Sequence, residues 1–258
     1  MVEYLMSIVF PSVDVDRAIE NCKLLYDKAY YPDRIEILIK FDEEKYTEEE
    51  IDKKIKEGIP EHSHKIRFIV TPRDFGWAST ADFNEELFRY SKGKILWSTN
   101  DNVEDISDHY DYWFEPYEDK LCMFRVGYDA GYRWGRRDEL CFDLPWFTRK
   151  FFEVRGVLVY GQAPVAEFKI LEKHLPEIVV DLDYVVMTHS PQHIGQDQHT
   201  RDKSPLSGGF AVSIPDREYR SNKKIIHKGK KLYPHEIYTE IDVPRIKKFL
   251  ELNPEYKV

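Results

Sequence analysis

Strand and helix signals alternate along the first hundred residues, and this alternation constrains the fold more than any other feature of the sequence. Short β-branched or continuously apolar runs are followed by longer segments whose apolar residues recur at helical spacing. Turn residues separate the two kinds of segment at short intervals. Because short β–α–β connections place neighbouring strands in parallel, we predict an α/β fold. Its Rossmann-like sheet should have helices on both faces.

Turn and capping residues set the predicted boundaries in this half. Pro11 should stop the first strand, and Gly93 should end the third helix. Thr47 and Glu50 match a capping box at the start of the second helix. The predicted strands are 6–10, 35–41, 66–70 and 94–98, and the predicted helices are 14–29, 47–58 and 77–91.

The second half of the chain differs, because 14 Trp, Tyr and Phe residues lie between Tyr110 and Phe152. Large rings dominate core burial, so most of them should lie in the core. Pro145 is predicted to open a helix through about Val154, and Pro164 to open another through about 175. A strand at 178–187 and a final helix at about 245–252 complete this decorated C-terminal third.

The net charge is −9 at pH 7, from 38 Lys and Arg against 47 Asp and Glu. Nucleic-acid backbones are bound by clustered Lys and Arg, so this balance argues against a general nucleic-acid-binding protein. The three cysteines are too few and too widely spaced for a disulfide framework or a metal knuckle. No apolar run approaches the roughly 20 residues of a membrane helix, and the first residues lack a basic signal-peptide region. We therefore expect a cytoplasmic protein with reduced thiols.

Polar residues follow three predicted strands at their carboxyl ends, where open parallel sheets bind ligands. Pro11 and Ser12 follow the first strand, and Asp42 follows the second. The triplet Asn100–Asn102 follows the fourth and places three side-chain oxygens in one turn, which suits a hard cation. As an alternative, Asp42 caps a turn and the asparagines merely form one.

Signatures of other nucleotide-binding classes are missing from the sequence. There is no GxxxxGK[ST] motif, and Gly127, Gly131 and Gly135 lack the spacing of GxGxxG. A P-loop kinase and a Rossmann dehydrogenase are therefore disfavoured.

Several motifs occur in an order known from one enzyme family. They are Ser7–Ser12, Asp42, Gly76, Asn84, Gly93–Leu96, Asn100–Asn102, Phe142–Arg149, Gly156, Ala166–Glu167 and Val186–His189. The sequence resembles GT-A-fold glycosyltransferases, closest to the family 2 type, over about residues 5–200. The resemblance implies a GT-A-like domain over 1–210, with a nucleotide-sugar half at about 1–105 and an acceptor half at about 106–210. Residues 211–258 would form a basic C-terminal extension with a short helix.

The resemblance also implies roles for individual residues. In such enzymes a strand-end Asp contacts the base, an Asp-x-Asp-like turn holds a divalent metal, and a carboxylate at a helix start is the catalytic base. The implied base is Glu167. The nucleotide-binding set is Pro11, Ser12, Asp42, Arg73, Gly76, Asn84 and Asn100, and the set for Mn²⁺ or Mg²⁺ is Asp101, Asn102 and His189.

Two positions depart from the family pattern. The turn has one carboxylate, Asp101, between two amides, so weaker metal binding is expected. Ala166 replaces the usual acidic neighbour of Glu167. An acceptor hydroxyl must lose its proton, which calls for a carboxylate such as Glu167. The alternative role of Glu167 is a partner of the helix dipole without catalytic function.

Metal-ligand residue types are also concentrated in the segment that begins at His189. Its members are His189, His193, Asp197, His199 and Asp202. A hydrolase-type metal centre is one interpretation, but there is no HExxH spacing, and Pro191 and Gly195 predict a loop. We expect His189 alone to join the metal turn.

A basic run and two aromatic residues complete the candidate sites. The run comprises Arg217, Arg220, Lys223, Lys224, Lys228, Lys230 and Lys231, against Glu218. In an acidic protein it predicts contact with a membrane surface or an anionic lipid-linked acceptor, or else pairing with the acidic body. Tyr132 and Trp134 lie in a charge-rich stretch that is hard to bury, so we expect them to stack on acceptor sugars.

Together these features predict a metal-dependent glycosyltransferase of the hexosyltransferase kind, inverting by family analogy. The donor would be a nucleoside-diphosphate sugar and the acceptor a glycan or a lipid-linked molecule. Two alternatives stay open. One is a nucleotidyltransferase, although the Gly-rich, Lys-containing loop of that class is missing after the first strand. The other is a GT-A-like protein that binds sugar or nucleotide without catalysis.

Overall fold

The computed structural model of the chain describes residues 3–42, 45–71, 80–129, 140–158, 164–189, 225–232 and 234–258. These residues contain an eight-stranded sheet and a small β-hairpin. The strands of the sheet are β1 Met6–Ser12, β2 Ile35–Asp42, β3 Ile66–Thr71, β4 Ile95–Ser98, β5 Val103–Ile106, β6 Met123–Asp129, β7 Leu140–Thr148 and β8 Val179–His189. The hairpin consists of β9 Ile225–His227 and β10 Lys230–Leu232. The helices are α1 Val15–Lys28, α2 Glu48–Gly58, α3 Thr80–Tyr90, α4 Arg149–Arg155, α5 Pro164–His174, α6 Pro234–Ile237 and α7 Val243–Leu252, and Tyr110–Tyr117 is a 3₁₀ helix.

The strand order of the sheet is β3-β2-β1-β4-β7-β6-β8-β5. The first four strands in this order run parallel, as the sequence predicts. β7 is antiparallel to both β4 and β6, while β8 is parallel to β6 and antiparallel to the edge strand β5. The complete sheet is therefore mixed, and its parallel half presents the carboxyl ends of β1 and β4 side by side.

Helices cover both faces of the sheet, as predicted. Successive residues of each strand point to opposite sides, so the apolar residues of a strand form a core on each face. On one face, α1 and α2 pack in a core that contains Ile8 and Trp97. On the other face, α3, α4, α5 and α7 pack in a core that contains Val9 and Leu96. Both cores exclude solvent almost completely, so the strand ends between them are held rigidly.

The predicted boundaries hold best where a cap marks them. Thr47 accepts a hydrogen bond from the backbone N–H of Glu50, whose side chain returns to the backbone of Thr47. Pro11 does not end β1, which continues to Ser12. Pro11 lies beyond the last β1–β4 pair, Val9 with Ser98, so its missing N–H removes no ladder bond on that side.

The helix predicted to start at Pro145 is wrong. Pro145 lies inside β7, and the helix begins only at Arg149 with Thr148 as its N-cap. The register of β6 against β7 shifts between Phe124 and Val126, so Pro145 occupies an irregular stretch where a missing N–H is tolerated. Its neighbour Leu144 has a φ of 51°, in the left-handed region.

Much of the aromatic segment is core, as predicted. Trp146 stacks on Trp97 with ring centroids 3.8 Å apart, and Phe114 stacks on Trp146 at 4.8 Å. Tyr110 and Phe124 complete this fully buried group. The rings connect β4, β7 and the 3₁₀ helix across one face of the sheet.

Gly93 is required for packing and lies three residues after α3 ends at Tyr90. A Cβ at Gly93 would lie 2.5 Å from both the carbonyl carbon of Met6 and the backbone nitrogen of Ser7. Its N–H donates to Ser7 Oγ at 2.7 Å. The backbone of the α3–β4 connection therefore lies directly against β1.

The C-terminal residues pack into the second core through Tyr238, Val243 and Ile246. Arg155 of α4 donates to Asp242 at 3.0 Å, and both side chains are fully buried. None of the described helices is long and apolar enough to cross a lipid bilayer.

Candidate functional site

The adjacent ends of β1 and β4 bring Ser12 and Asp101 into contact. The N–H of Thr99 donates to the carbonyl of Val9 at 2.9 Å, so the segment after β4 continues alongside β1. Ser12 Oγ donates to Asp101 Oδ2 at 2.6 Å. The Asp101 side chain keeps 14% of its surface exposed. A residue predicted for nucleotide binding and one predicted for metal binding are thus direct neighbours.

Helix α1 forms a second wall of this site, which sequence reasoning missed. Arg17 Nε donates to the carbonyl oxygen of Asp101 at 3.1 Å, and its guanidinium lies 3.8 Å from Asp101 Oδ1. Asn21 Nδ2 donates to the carbonyl of Asn100 at 3.1 Å. Arg17 and Asn21 are four residues apart and share one helix face. The sequence signal that could have identified this wall is the pair of polar residues at helix positions i and i+4 directly after β1.

Asp14 fixes the start of α1 beside the site. Its carboxylate accepts hydrogen bonds from the backbone N–H groups of Asp16 and Arg17. Burial acts to raise the pKa of Asp14, but the Arg17 N–H and the Lys45 ammonium outweigh it, and the pKa lies below its usual value. Lys45 Nζ also donates to the carbonyl of Val13 at 2.9 Å. The α1 start therefore keeps a charged carboxylate at neutral pH.

Four buried polar atoms around the end of β4 have no hydrogen-bond partner among the described residues: Asn21 Oδ1, Asn84 Oδ1, Thr99 Oγ1 and Asn102 Oδ1. Asn84 Nδ2 donates to Ser98 Oγ at 2.5 Å, so Asn84 and Asn21 hold the turn from opposite faces of the sheet. Buried polar groups in native proteins are almost always satisfied. A concentration of unsatisfied atoms here indicates that a ligand or water completes the site.

Two further candidates are placed by the backbone alone. His189 is the last residue of β8 and pairs in register with Val103, the residue directly after Asn102. The backbone therefore places His189 beside the metal turn, although the two lie far apart in the sequence. Asp42 ends β2 opposite Thr71, on the strand that pairs with β1.

Glu167 lies in the first turn of α5, as predicted, and the residue is only 5% exposed. α5 packs on β7, the neighbour of β4 in the sheet. Phe168, the next residue, meets Phe147 of β7 edge to face at 5.9 Å. A packed helix therefore holds this carboxylate.

The remaining candidates have few described contacts. Pro11 is part of β1, and the carbonyl oxygen of Asn100 accepts a hydrogen bond from Asn21 of α1. Outside the described residues lie Arg73, Gly76, Tyr132, Trp134, the segment after His189 and the first part of the basic run. In the hairpin, Lys230 pairs with Glu236 at 3.3 Å and Glu240 at 3.0 Å, and both partners lie within the same C-terminal segment.

The donors at the turn suit a divalent cation only in part. Among the described side chains, no three His, Cys, Asp or Glu groups converge in a way that could hold a metal. The turn does offer the Asp101 carboxylate and the unsatisfied, buried Asn102 Oδ1. A carboxylate can accept about four contacts, so those with Ser12 and Arg17 are compatible with a cation. Mg²⁺ and Mn²⁺ often complete their coordination with water and substrate phosphates, so the donor set fits a cation shared with a diphosphate.

Sequence comparisons give no relative of this chain: neither a protein-family model nor a curated protein sequence matches. Solved structures do match. Mannosyltransferase PcManGT from Pyrobaculum calidifontis, in complex with GDP-Man and Mn²⁺, has 13% identity and a TM-score of 0.52, over 98% of this chain and 76% of that one. S. aureus TarS 1-349 with UDP-GlcNAc has 9% identity and a TM-score of 0.53, over 96% of this chain and 74% of that one.

GalNAc-T7 with UDP, GalNAc and Mn²⁺ matches at 10% identity and a TM-score of 0.50, over 72% of this chain and 44% of that one. In other crystal structures of TarS, the chain spans 37% of the neighbour and 60% of its 1-349 portion. Identities this low establish the fold alone. The chain has the GT-A-type α/β fold. This is shown by its mixed sheet, by the helices on both faces of that sheet and by these structural neighbours.

Proposed function

We propose that this chain is a glycosyltransferase that moves a sugar from a nucleoside-diphosphate sugar to an acceptor hydroxyl, assisted by Mn²⁺ or Mg²⁺. The observation that carries the proposal is the group of unsatisfied polar atoms around the Ser12–Asp101 contact. It lies beyond the carboxyl ends of adjacent parallel strands, where open α/β sheets bind ligands. Two of the neighbours named above carry GDP-Man and UDP-GlcNAc, and they support the same class of donor.

In this proposal the residues divide into a nucleotide side and a metal side. Pro11, Ser12 and Asp42 border the base and ribose, and Asn84, Asn100, Arg73 and Gly76 complete the nucleotide-binding set. Asp101, Asn102 and His189 hold the cation, and a bound cation would neutralise charge that develops on the departing diphosphate. Arg17 adds a second positive charge at the same turn.

Glu167 is proposed as the general base. A carboxylate in the first turn of a helix is stabilised in its ionised form by the helix dipole. It would take the proton of the acceptor hydroxyl while the oxygen bonds to the sugar carbon and the nucleoside diphosphate leaves from the opposite side. This single displacement corresponds to an inverting, family 2-like hexosyltransferase. Tyr132 and Trp134 remain the proposed acceptor contacts.

Calorimetry with UDP, GDP and CMP, each with and without Mn²⁺, tests the donor side. We expect one nucleoside diphosphate to bind, with higher affinity in the presence of Mn²⁺. If none of the three nucleotides binds under either condition, the proposal is wrong. The second candidate is a binding protein without catalysis, favoured by the single carboxylate of the turn. Nucleotide binding without sugar transfer, tested with a panel of nucleotide sugars and oligosaccharide acceptors, would support that candidate.

A further inference from the structure

A row of exposed aromatic rings lies outside the proposed nucleotide site. This aromatic row comprises Tyr30, Tyr112, Trp113 and Tyr184, whose exposed fractions are 51%, 45%, 37% and 65%. Tyr184 stacks on Trp113 with centroids 4.8 Å apart, and Trp113 meets Tyr112 edge-on at 5.5 Å. Tyr112 in turn meets Tyr30 at 5.3 Å. The rings thus form one continuous exposed surface, and such surfaces usually mark binding sites.

A buried carboxylate fixes one end of the aromatic row. Asp111 is fully buried, and its two oxygens accept the backbone N–H groups of Tyr30 at 2.6 Å and Tyr31 at 2.7 Å. The N–H of His109 donates to the carbonyl of Lys28 at 2.6 Å. A buried charge is tolerated only when it is hydrogen-bonded in this way. These bonds tie the end of α1 to the 3₁₀ helix and hold the exposed rings in place.

A bulge in β8 presents the other end of the aromatic row. Val126 pairs with Leu182 and the next residue, Gly127, pairs with Val186, so three residues of β8 leave the ladder between them. Tyr184 is the middle one of these three. A Cβ at Gly127 would lie 2.9 Å from Val186 Cγ2, so glycine allows the close approach that the bulge requires. Bulges commonly redirect a side chain in this manner.

Acidic residues outnumber basic ones in the segments that carry the aromatic row. The exposed Asp183 directly precedes Tyr184, and the exposed Asp108 and Asp105 pair with Lys28, two residues before Tyr30, at 2.8 Å and 3.4 Å. Excess negative charge disfavours an anionic membrane or a nucleic acid as the occupant. Aromatic faces stack on the C–H faces of sugar rings, while carboxylates and phenol groups bind sugar hydroxyls. The chemistry of this surface therefore matches a neutral carbohydrate.

We propose that the aromatic row binds a neutral oligosaccharide, with consecutive sugar units lying along Tyr184, Trp113, Tyr112 and Tyr30. Arg17 is in the first turn of α1 and Tyr30 follows its last, so the Tyr30 end of the row lies about 20 Å from Arg17 at the metal turn. The row is thus a second carbohydrate site, and its Tyr30 end holds a distant part of a polymeric acceptor. That role rests on the proposed function, whereas oligosaccharide binding itself does not.

Calorimetric titration of the full chain with cellohexaose, maltohexaose and chitohexaose, without nucleotide, tests the proposal. We expect at least one oligosaccharide to bind. Trp113→Ala and Tyr184→Ala should each weaken that binding at least tenfold. Tyr90→Ala is the matched control, because Tyr90 is 57% exposed but lies outside the row, and it should leave binding unchanged. Thermal melting checks that all three variants are folded.

Several results would overturn the proposal. One is a lack of binding to all three oligosaccharides. Another is equal binding by Trp113→Ala and the unsubstituted chain. Variants that abolish binding to anionic phosphatidylglycerol vesicles, or that dissociate a dimer in sedimentation, without affecting oligosaccharide binding, would assign the row to a membrane or a second copy instead. The nucleotide titrations are separate. Oligosaccharide binding without nucleotide binding would keep this site and overturn the proposed transferase.

Discussion

At the scale of single residues, Asp101 combines two side-chain contacts with burial, which a simple turn-forming residue does not need. It accepts from Ser12, lies near the Arg17 guanidinium and is mostly buried between two strand ends. Taking a carboxylate out of water is costly unless it is paired. Ser12 and Arg17 supply that pairing, and the unsatisfied Asn102 Oδ1 of the next residue supports the cation role proposed above.

Asp101→Asn should remove most of the Mn²⁺-dependent gain in nucleotide affinity. The variant keeps the shape of the side chain but loses the only carboxylate of the turn. Partners that only support a metal ligand are worth about 10–100-fold in metal affinity, so we expect a loss of at least about tenfold here. Calorimetry with nucleotide and Mn²⁺ measures this loss.

Asp105→Asn is the control, because Asp105 is an exposed partner of Lys28. An undiminished Mn²⁺ effect in Asp101→Asn would exclude Asp101 as a ligand, and Asn102→Asp should strengthen the effect.

Glu167→Gln should lower kcat by at least about 10²-fold while leaving nucleotide affinity nearly unchanged. Glutamine keeps the size of the side chain but cannot accept the proton, and general-base catalysis contributes about 10²–10⁴-fold. Glu167→Asp should retain more activity than the Gln variant. Glu172→Gln, on the same helix but paired with Arg125, is the control and should be nearly neutral. Near-normal single-turnover rates in Glu167→Gln would assign the base to another carboxylate.

At the scale of elements, local signals predicted most of the parallel half. The cap at Thr47 and the periodicity of α1 act within a few residues, so the sequence shows them directly. The start of α5 at Pro164 is predicted correctly for the same reason. The antiparallel position of β7 depends on long-range pairing with β4 and β6, which no local pattern encodes.

The candidate site was predicted in part for a similar reason. Strand ends identified Ser12 and Asp101, because topology alone places them at one edge. Arg17 and Asn21 were not predicted as site residues, because the apolar periodicity of α1 identifies only its buried face and assigns its polar residues to solvent. The helix start at Pro145 was predicted wrongly because proline is common both at helix starts and at irregular points of a sheet.

The cap of α1 should make stability depend on pH. The pKa of Asp14 is lowered from 3.8, so its charge stabilises the fold above about pH 4 and that contribution disappears as the pH falls through the lowered pKa. Asp14→Asn should therefore be less stable than the natural chain at pH 7 and equal to it near pH 2. The difference should be at most about 1 kcal/mol, because the ion pair with Lys45 is substantially exposed.

Chemical denaturation at several pH values measures this difference. Glu20→Gln, on the exposed side of the same helix, serves as the control and should show little change. A constant difference between Asp14→Asn and the natural chain from pH 7 to pH 2 would show that the charge of Asp14 does not stabilise α1.

At the scale of the whole molecule, a buried ion pair connects the C-terminal residues to the half that carries Glu167. Arg155 donates to Asp242, and its guanidinium lies over the rings of Tyr238 at 5.3 Å and Phe168 at 6.0 Å. Phe168 directly follows Glu167. The end of the chain thus supports the helix of the proposed base.

Asp242→Ala should lower the free energy of unfolding by about 3–5 kcal/mol, because it removes a buried carboxylate that pairs with the Arg155 guanidinium. Denaturant unfolding measures the change. Asp181→Ala removes a 46% exposed partner of Arg125 and is the control, with an expected cost of less than about 1 kcal/mol. Equal effects of the two substitutions would contradict a structural role for the buried pair.

The position of β7 between β4 and β6 also affects how the protein is made. During synthesis the four parallel strands can assemble early, but the apolar edge Ile95–Ser98 then has no neighbour until Leu140–Thr148 leaves the ribosome. At translation rates of about 5–20 residues per second, that edge is unpaired for roughly 3–10 s. An open apolar edge strand invites pairing with another chain. The nascent protein should therefore depend on chaperones during this interval, and crowding of ribosomes on its message should favour aggregation.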